Sequence, residues 1–87
     1  MEYRILGSTG LRVSAVALGC EGFIHNTPEE VCADFDFAIG HGVNFIDIYS
    51  PNPELRTNIG AALEGRRGDF IIQGHLCPTW ENGQYLR

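Results

Sequence analysis

Two capped amphipathic helices alternate with short apolar runs that lack a helical period, and this alternation limits the possible folds more than any other feature. The first helix signal is Thr27-Pro28-Glu29-Glu30. Thr27 suits an N-cap, Pro28 suits the first helical position, and Glu30 completes a capping box three residues after the cap. Val31, Phe35, Ala38 and Ile39 then recur on one face, and Gly40 and Gly42 end the helix. In the second helix Asn52 is the N-cap, Pro53 the first helical residue and Glu54 a favourable charge at the positive end. Its apolar face is Leu55, Ile59, Ala62 and Leu63, and Gly65 closes it. The apolar runs are Ala15–Leu18, then Val43, Phe45, Ile46 and Ile48, then the Phe-Ile-Ile-Gln run ending at Gly74. Strands alternating with helices of this length imply parallel pairing through right-handed crossovers. A run without polar alternation, such as Ala15–Leu18, implies a strand buried on both faces.

Before the first run, Tyr-Arg-Ile-Leu-Gly-Ser-Thr-Gly-Leu-Arg-Val-Ser alternates apolar and polar residues on both sides of Gly7-Ser8-Thr9-Gly10. That pattern predicts a β-hairpin with a glycine-permitted turn. The closing stretch, residues 75–87, shows no period. At 87 residues the chain has room for one small domain. The expected organisation is a hairpin over about 2–13, a βαβαβ unit over about 15–74 and a tail over 75–87.

A net charge of −5 excludes a nucleic-acid binder, which needs a basic stripe against phosphates. The one basic pair, Arg66-Arg67, is read as a solvated helix end. The apolar runs are far shorter than the roughly 18 residues of a membrane span, and the start lacks a signal-peptide pattern. A cytoplasmic protein without a membrane partner is therefore expected. Cys20, Cys32 and Cys77 have no metal-ligand spacing and are read as free thiols, with no metal site.

Two α/β architectures compete. A doubly wound sheet usually carries a Gly-rich phosphate loop after its first strand. Here that loop reads Gly19-Cys20-Glu21-Gly22-Phe23, which lacks the G-x-G-x-x-G spacing and places a carboxylate where a pyrophosphate would lie. In a (β/α)8 TIM barrel, catalytic residues sit at the carboxyl ends of strands. Asp47 ends the second apolar run, which is such a position.

The opening segment and the Gly42-to-Leu63 stretch together resemble the aldo-keto reductases. In that family a hairpin plugs the barrel before strand one, and strand two carries G-x-N-F-x-D-T-A followed downstream by L-G-x-A-L. Gly42, Asn44, Phe45, Asp47, Gly60, Ala62 and Leu63 fall in that register without gaps. The resemblance runs from residue 2 to about 75. It implies the hairpin, first three strands and two helices of a (β/α)8 barrel, incomplete in this chain, because a barrel takes about 250 residues. The chain thus reads as the N-terminal part of a longer protein, inactive alone and prone to self-association through an exposed strand edge.

The resemblance further implies an oxidoreductase that transfers a hydride between NADP(H) or NAD(H) and a small carbonyl substrate. In the family a tyrosine is the general acid, tuned by an aspartate, a lysine and a histidine. Asp47 matches the aspartate; Asn52 stands at the tyrosine position and His75 at the lysine position. By the same resemblance Gly19, Cys20 and Asp47 would lie against the cofactor. Tyr49 returns to the face of Asp47 two residues on. It is either a substitute proton donor or a packing residue. His75 either pairs with Asp47 in place of the lysine or is held by a backbone carbonyl; an ordinary histidine titrates near pH 6.5. Asp47 is either a site residue or a structural carboxylate accepting backbone N–H bonds. His25 and His41 read as loop and helix-end residues. The competing function is a catalytically degenerate barrel with a binding or regulatory role. A third is redox chemistry with additional centres encoded elsewhere.

Overall fold

The computed structural model describes residues 1–76 and 79–86. Cys77, read above as a free thiol, lies outside the described residues; Cys20 and Cys32 are free. The opening hairpin pairs β1 (Tyr3–Ile5) with β2 (Arg12–Ser14), antiparallel, with Tyr3 opposite Ser14. Gly7 and Gly10 take positive φ in its turn, and the Leu6 amide donates to the Leu11 carbonyl at 2.8 Å. The next strand, β3, is shorter than its apolar run: it covers Leu18–Gly19, not Ala15–Leu18. Ala15–Ala17 are instead spent on a bend. The Ala15 amide donates back to the Glu2 carbonyl and the Ser14 hydroxyl donates to the Val16 carbonyl, leaving Val16 59% exposed.

The helix α1 spans Pro28–Gly40 with the capping box complete: Thr27 Oγ1 accepts from the Glu30 amide and Glu30 Oε1 from the Thr27 amide. Val31 and Phe35 are fully buried. After β4 (Phe45–Ile48), Asn52 Oδ1 caps α2 (Pro53–Ala62) by accepting from the Leu55 amide at 3.1 Å. Leu55, Ile59, Ala62 and Leu63 are all buried, as their spacing predicts. Arg66 and Arg67 do more than meet solvent. Arg66 donates to the Ala62 carbonyl and bridges to Asp36 at 2.7 Å, tying the end of α2 to α1.

The three parallel strands run in the order β3-β4-β5, with β5 at Ile71–Gly74. Ile46 faces Leu18 on one side and Ile72 on the other, and Gly19, Asp47 and Gln73 share the next row. Because side chains alternate along a strand, these rows point to opposite faces. The row with Ile46 packs against the helices and forms the core with Val31, Phe35, Leu55, Ile59 and Phe70. The other face is open. Phe45 and Ile71 are only half-buried, and Gln73 and Gly19 are exposed. The expectation that the first parallel strand is buried on both faces is therefore wrong for this chain, whose helices cover one side only.

The tail is not formless. β6 (Thr79–Glu81) and β7 (Gln84–Leu86) make a second hairpin, joined by Asn82-Gly83 with φ of 52° and 73°. Positive φ at both turn residues is the type I′ arrangement that Asn-Gly favours. The dipeptide was the visible signal; the flanking strands are too short to show a period.

Candidate functional site

The carboxyl ends of the parallel strands gather the titratable side chains. Asp47 is third in β4 and turns to the open face, away from the helices. Ile48 pairs with Gly74, so the next residues in line are Tyr49 and His75. His75 Nε2 lies 2.6 Å from Asp47 Oδ1, with both side chains about two-thirds buried (31% and 38% exposed). The Tyr49 ring stands perpendicular to the imidazole, at 85° and 4.9 Å between centroids. Of the two readings of His75, the geometry has the carboxylate contact, not a backbone carbonyl. Among the described residues no backbone N–H donates to the Asp47 carboxylate.

Gly19 and Cys20 complete the edge. The Cys20 amide donates to the Asp47 carbonyl at 3.0 Å, extending the β3–β4 ladder by one bond. Burial, reinforced by the Asp47 charge, pushes the Cys20 thiol up from about 9 to about 12, so it is a neutral group at any ordinary pH. Gly19 is exposed, and a Cβ built there would meet no atom within 4 Å. The space beside the Gly19 backbone is therefore open.

Asn52 is not at this cluster's service. Its side chain is consumed in capping α2, and its amide donates to Ser50 Oγ at 3.2 Å. Ser50, 1% exposed, and Arg56, whose Nε donates to the Ser50 carbonyl at 3.0 Å, hold the β4–α2 loop. Sequence reading passed over both, and only the Asn-Pro cap signal beside them marked the loop as ordered. His25 is exposed in a turn, and His41 caps α1 with Nδ1 2.8 Å from the Phe37 carbonyl. A further cleft of about 510 Å³ lies on the helix side, with Ile48, Ile59, Leu63, Ile72, Arg56 and Arg67 among its lining residues. Among the described residues no helix is long and apolar enough to cross a membrane.

A parallel α/β unit with an acid–imidazole pair at its carboxyl edge is laid out as enzymes of the parallel-strand class are. Comparison with known proteins narrows that class. The chain is 29% identical over 85 residues to the uncharacterized oxidoreductase YqkF of Bacillus subtilis (strain 168), covering 95% of this chain and 28% of that protein. It superposes on the crystal structure of PA4992, given as an aldo-keto reductase of Pseudomonas aeruginosa, with a TM-score of 0.84 and 28% identity. A second aldo-keto reductase structure from the same organism gives the same values. Each match covers 97% of this chain and 34% of the other. No family profile matches the chain. In sequence and in fold, then, the chain is similar to the aldo-keto reductases, and it spans about a third of the length of the structures it matches.

Proposed function

We propose that the chain forms part of a nicotinamide-linked carbonyl reductase and supplies the acid–base corner of its site. The observation that carries this reading is the Asp47–His75 contact at the carboxyl ends of β4 and β5. A reduced nicotinamide, when bound, supplies the hydride. Gly19, exposed and with open space beside its backbone, fits the nicotinamide–ribose end of such a cofactor; Cys20, 1% exposed and packed in the core, does not reach it. The residues here do not fit its phosphates, because Glu21 follows directly. Phosphate contacts, NADP(H) or NAD(H) preference, and closure of a (β/α)8 barrel all require strands and loops beyond the three parallel strands present. Asp47 orients the imidazole, and the imidazole and Tyr49 wall the space where a carbonyl oxygen would sit. A small carbonyl compound is the proposed substrate, in a soluble, cytoplasmic setting.

Nicotinamide fluorescence quenching tests the reading in a protein carrying these residues within a closed barrel. Binding of NADPH or NADH is expected, together with reduction of small aldehydes. No binding at millimolar concentration would remove the cofactor assignment. A second reading rests on Asn52, whose side chain is taken up by the helix cap where the family has its tyrosine. On that reading the barrel binds nicotinamide but no longer transfers hydride. Binding without any aldehyde reduction would select it.

A further inference from the structure

We propose that His75 itself, through Nδ1, is the proton donor of this site, and that Tyr49 is a wall and not the acid. The inference rests on the reductase reading for its substrate. It differs from the tyrosine-acid arrangement implied by the family resemblance.

The ring's two nitrogens differ in their partners. Nε2 is 2.6 Å from Asp47 Oδ1, so the carboxylate takes the Nε2–H bond and fixes the tautomer. Among the described residues Nδ1 has no hydrogen-bond partner. An imidazole anchored at one nitrogen by a carboxylate, with the other nitrogen free, is the arrangement that moves protons in acid–base catalysis. Tyr49 stands perpendicular to the ring at 4.9 Å between centroids and the Asp47 carboxylate holds Nε2 at 2.6 Å, two contacts that limit the imidazole's freedom to turn.

The choice between the two acids follows from their chemistry. In a lysine-tuned site the cation keeps its proton while the phenol gives one up. Histidine cannot play that part. An ordinary imidazolium releases its proton near pH 6.5 and an ordinary phenol near pH 10, a difference of more than about a thousandfold in acidity. Of two acids in contact, the stronger donates first, so a histidine in the lysine's place is a donor and not a permanent cation. Cys20 does not compete, because its thiol is buried in the core and, pushed up to about 12, is a weaker acid than either.

The proton step conserves atoms and electrons. As the carbonyl carbon receives a hydride, the C=O π pair becomes a lone pair on oxygen. The Nδ1–H bond breaks and an O–H bond forms, giving the alcohol. The imidazole is left neutral, its Nε2–H still on Asp47, and solvent returns the Nδ1 proton. The two electrons come from the reduced nicotinamide class of cofactor, which is oxidised.

Two measurements decide the proposal. Long-range ¹H–¹⁵N correlation spectra of the protein without cofactor should show neutral His75 as the Nε2–H tautomer, and Asp47→Asn should shift that population toward a mixture. A dominant Nδ1–H tautomer in the unaltered protein would overturn the proposal, whatever the fate of the reductase reading. In turnover, His75→Gln should cost about 10²–10⁴-fold, the usual share of general acid catalysis. Tyr49→Phe should cost less, and His75→Lys should stay as low as His75→Gln. Recovery of activity in His75→Lys, or a larger loss in Tyr49→Phe, would make the phenol the acid and His75 its tuning cation. Absence of all turnover in the unaltered protein would dispose of the reductase reading alone, and the tautomer would still decide His75.

Discussion

Cys20 couples the stability of the chain to pH. It is 1% exposed and belongs to the core, and folding moves its thiol from about 9 to about 12. Its folded value lies above the unfolded one, so its contribution is fully present below about pH 9 and is lost as pH rises toward 12. Urea midpoints should therefore fall between pH 8.5 and about 10.5, and Cys20→Ala should flatten that fall while lowering the midpoint at neutral pH through lost packing. An equal alkaline slope in both proteins would show that burial of this thiol is not what the slope reports. His75 and Asp47 belong to the same scale. Neither residue type is unusual at a strand end, and their meaning lies in one distance, 2.6 Å.

Among elements, the hairpin's attachment explains two positions of the strand-two motif. Asn44 accepts the Ser14 amide at 2.7 Å, donates from Nδ2 to the Arg12 carbonyl at 3.0 Å, and its own amide donates to Ser14 Oγ at 3.2 Å. The Gly42 carbonyl accepts the Tyr3 hydroxyl at 2.7 Å. Gly42 itself has φ of +89°, and a Cβ there would come within 2.8 Å of that hydroxyl, so glycine is required twice over. These residues dock the β1–β2 hairpin against the start of β4. Asn44→Ala leaves the Ser14 amide, in a residue 2% exposed, without its acceptor. A loss of about 2–3 kcal/mol is expected, from an unsatisfied buried donor plus a second broken bond. Urea melting gives the loss, and faster hydrogen exchange at the Ser14 amide gives its location. Unchanged Ser14 exchange would mean that the hairpin is held by other contacts.

For the molecule as a whole, the open face and strand edges decide behaviour. The radius of gyration is 13.5 Å, whereas a compact domain of this length has about 12 Å. Among the described residues β5 pairs with β4 alone, and Ile5, Leu6, Leu11, Val16 and Leu76 are exposed. Unpaired backbone groups beside apolar side chains favour edge pairing. Small domains have only about 5–15 kcal/mol of net stability, and here one sheet face lacks cover. The 87-residue chain alone should therefore self-associate as concentration rises, and its urea midpoint should shift with concentration. Size-exclusion chromatography with light scattering, and urea melting at several concentrations, would measure both. A monomer with one cooperative transition independent of concentration would show these residues to be self-sufficient.

What the chain determined locally was legible: the caps at Thr27 and Asn52, the buried spacings of Val31 and Phe35 and of Leu55 and Ile59, and the parallel βα alternation all depend on contacts a few residues apart. Asn82-Gly83 belonged to that local information as well and went unread. Three things required the tertiary structure. The length of β3 was decided by bonds from Ser14 and Ala15 that compete with the ladder. The uncovered sheet face follows from where the helices pack, which periodicity within one strand does not report. The Asp47–His75 contact joins residues 28 apart in sequence. It exists because β4 and β5 pair in a register that sets Ile48 against Gly74, and no local rule encodes that register.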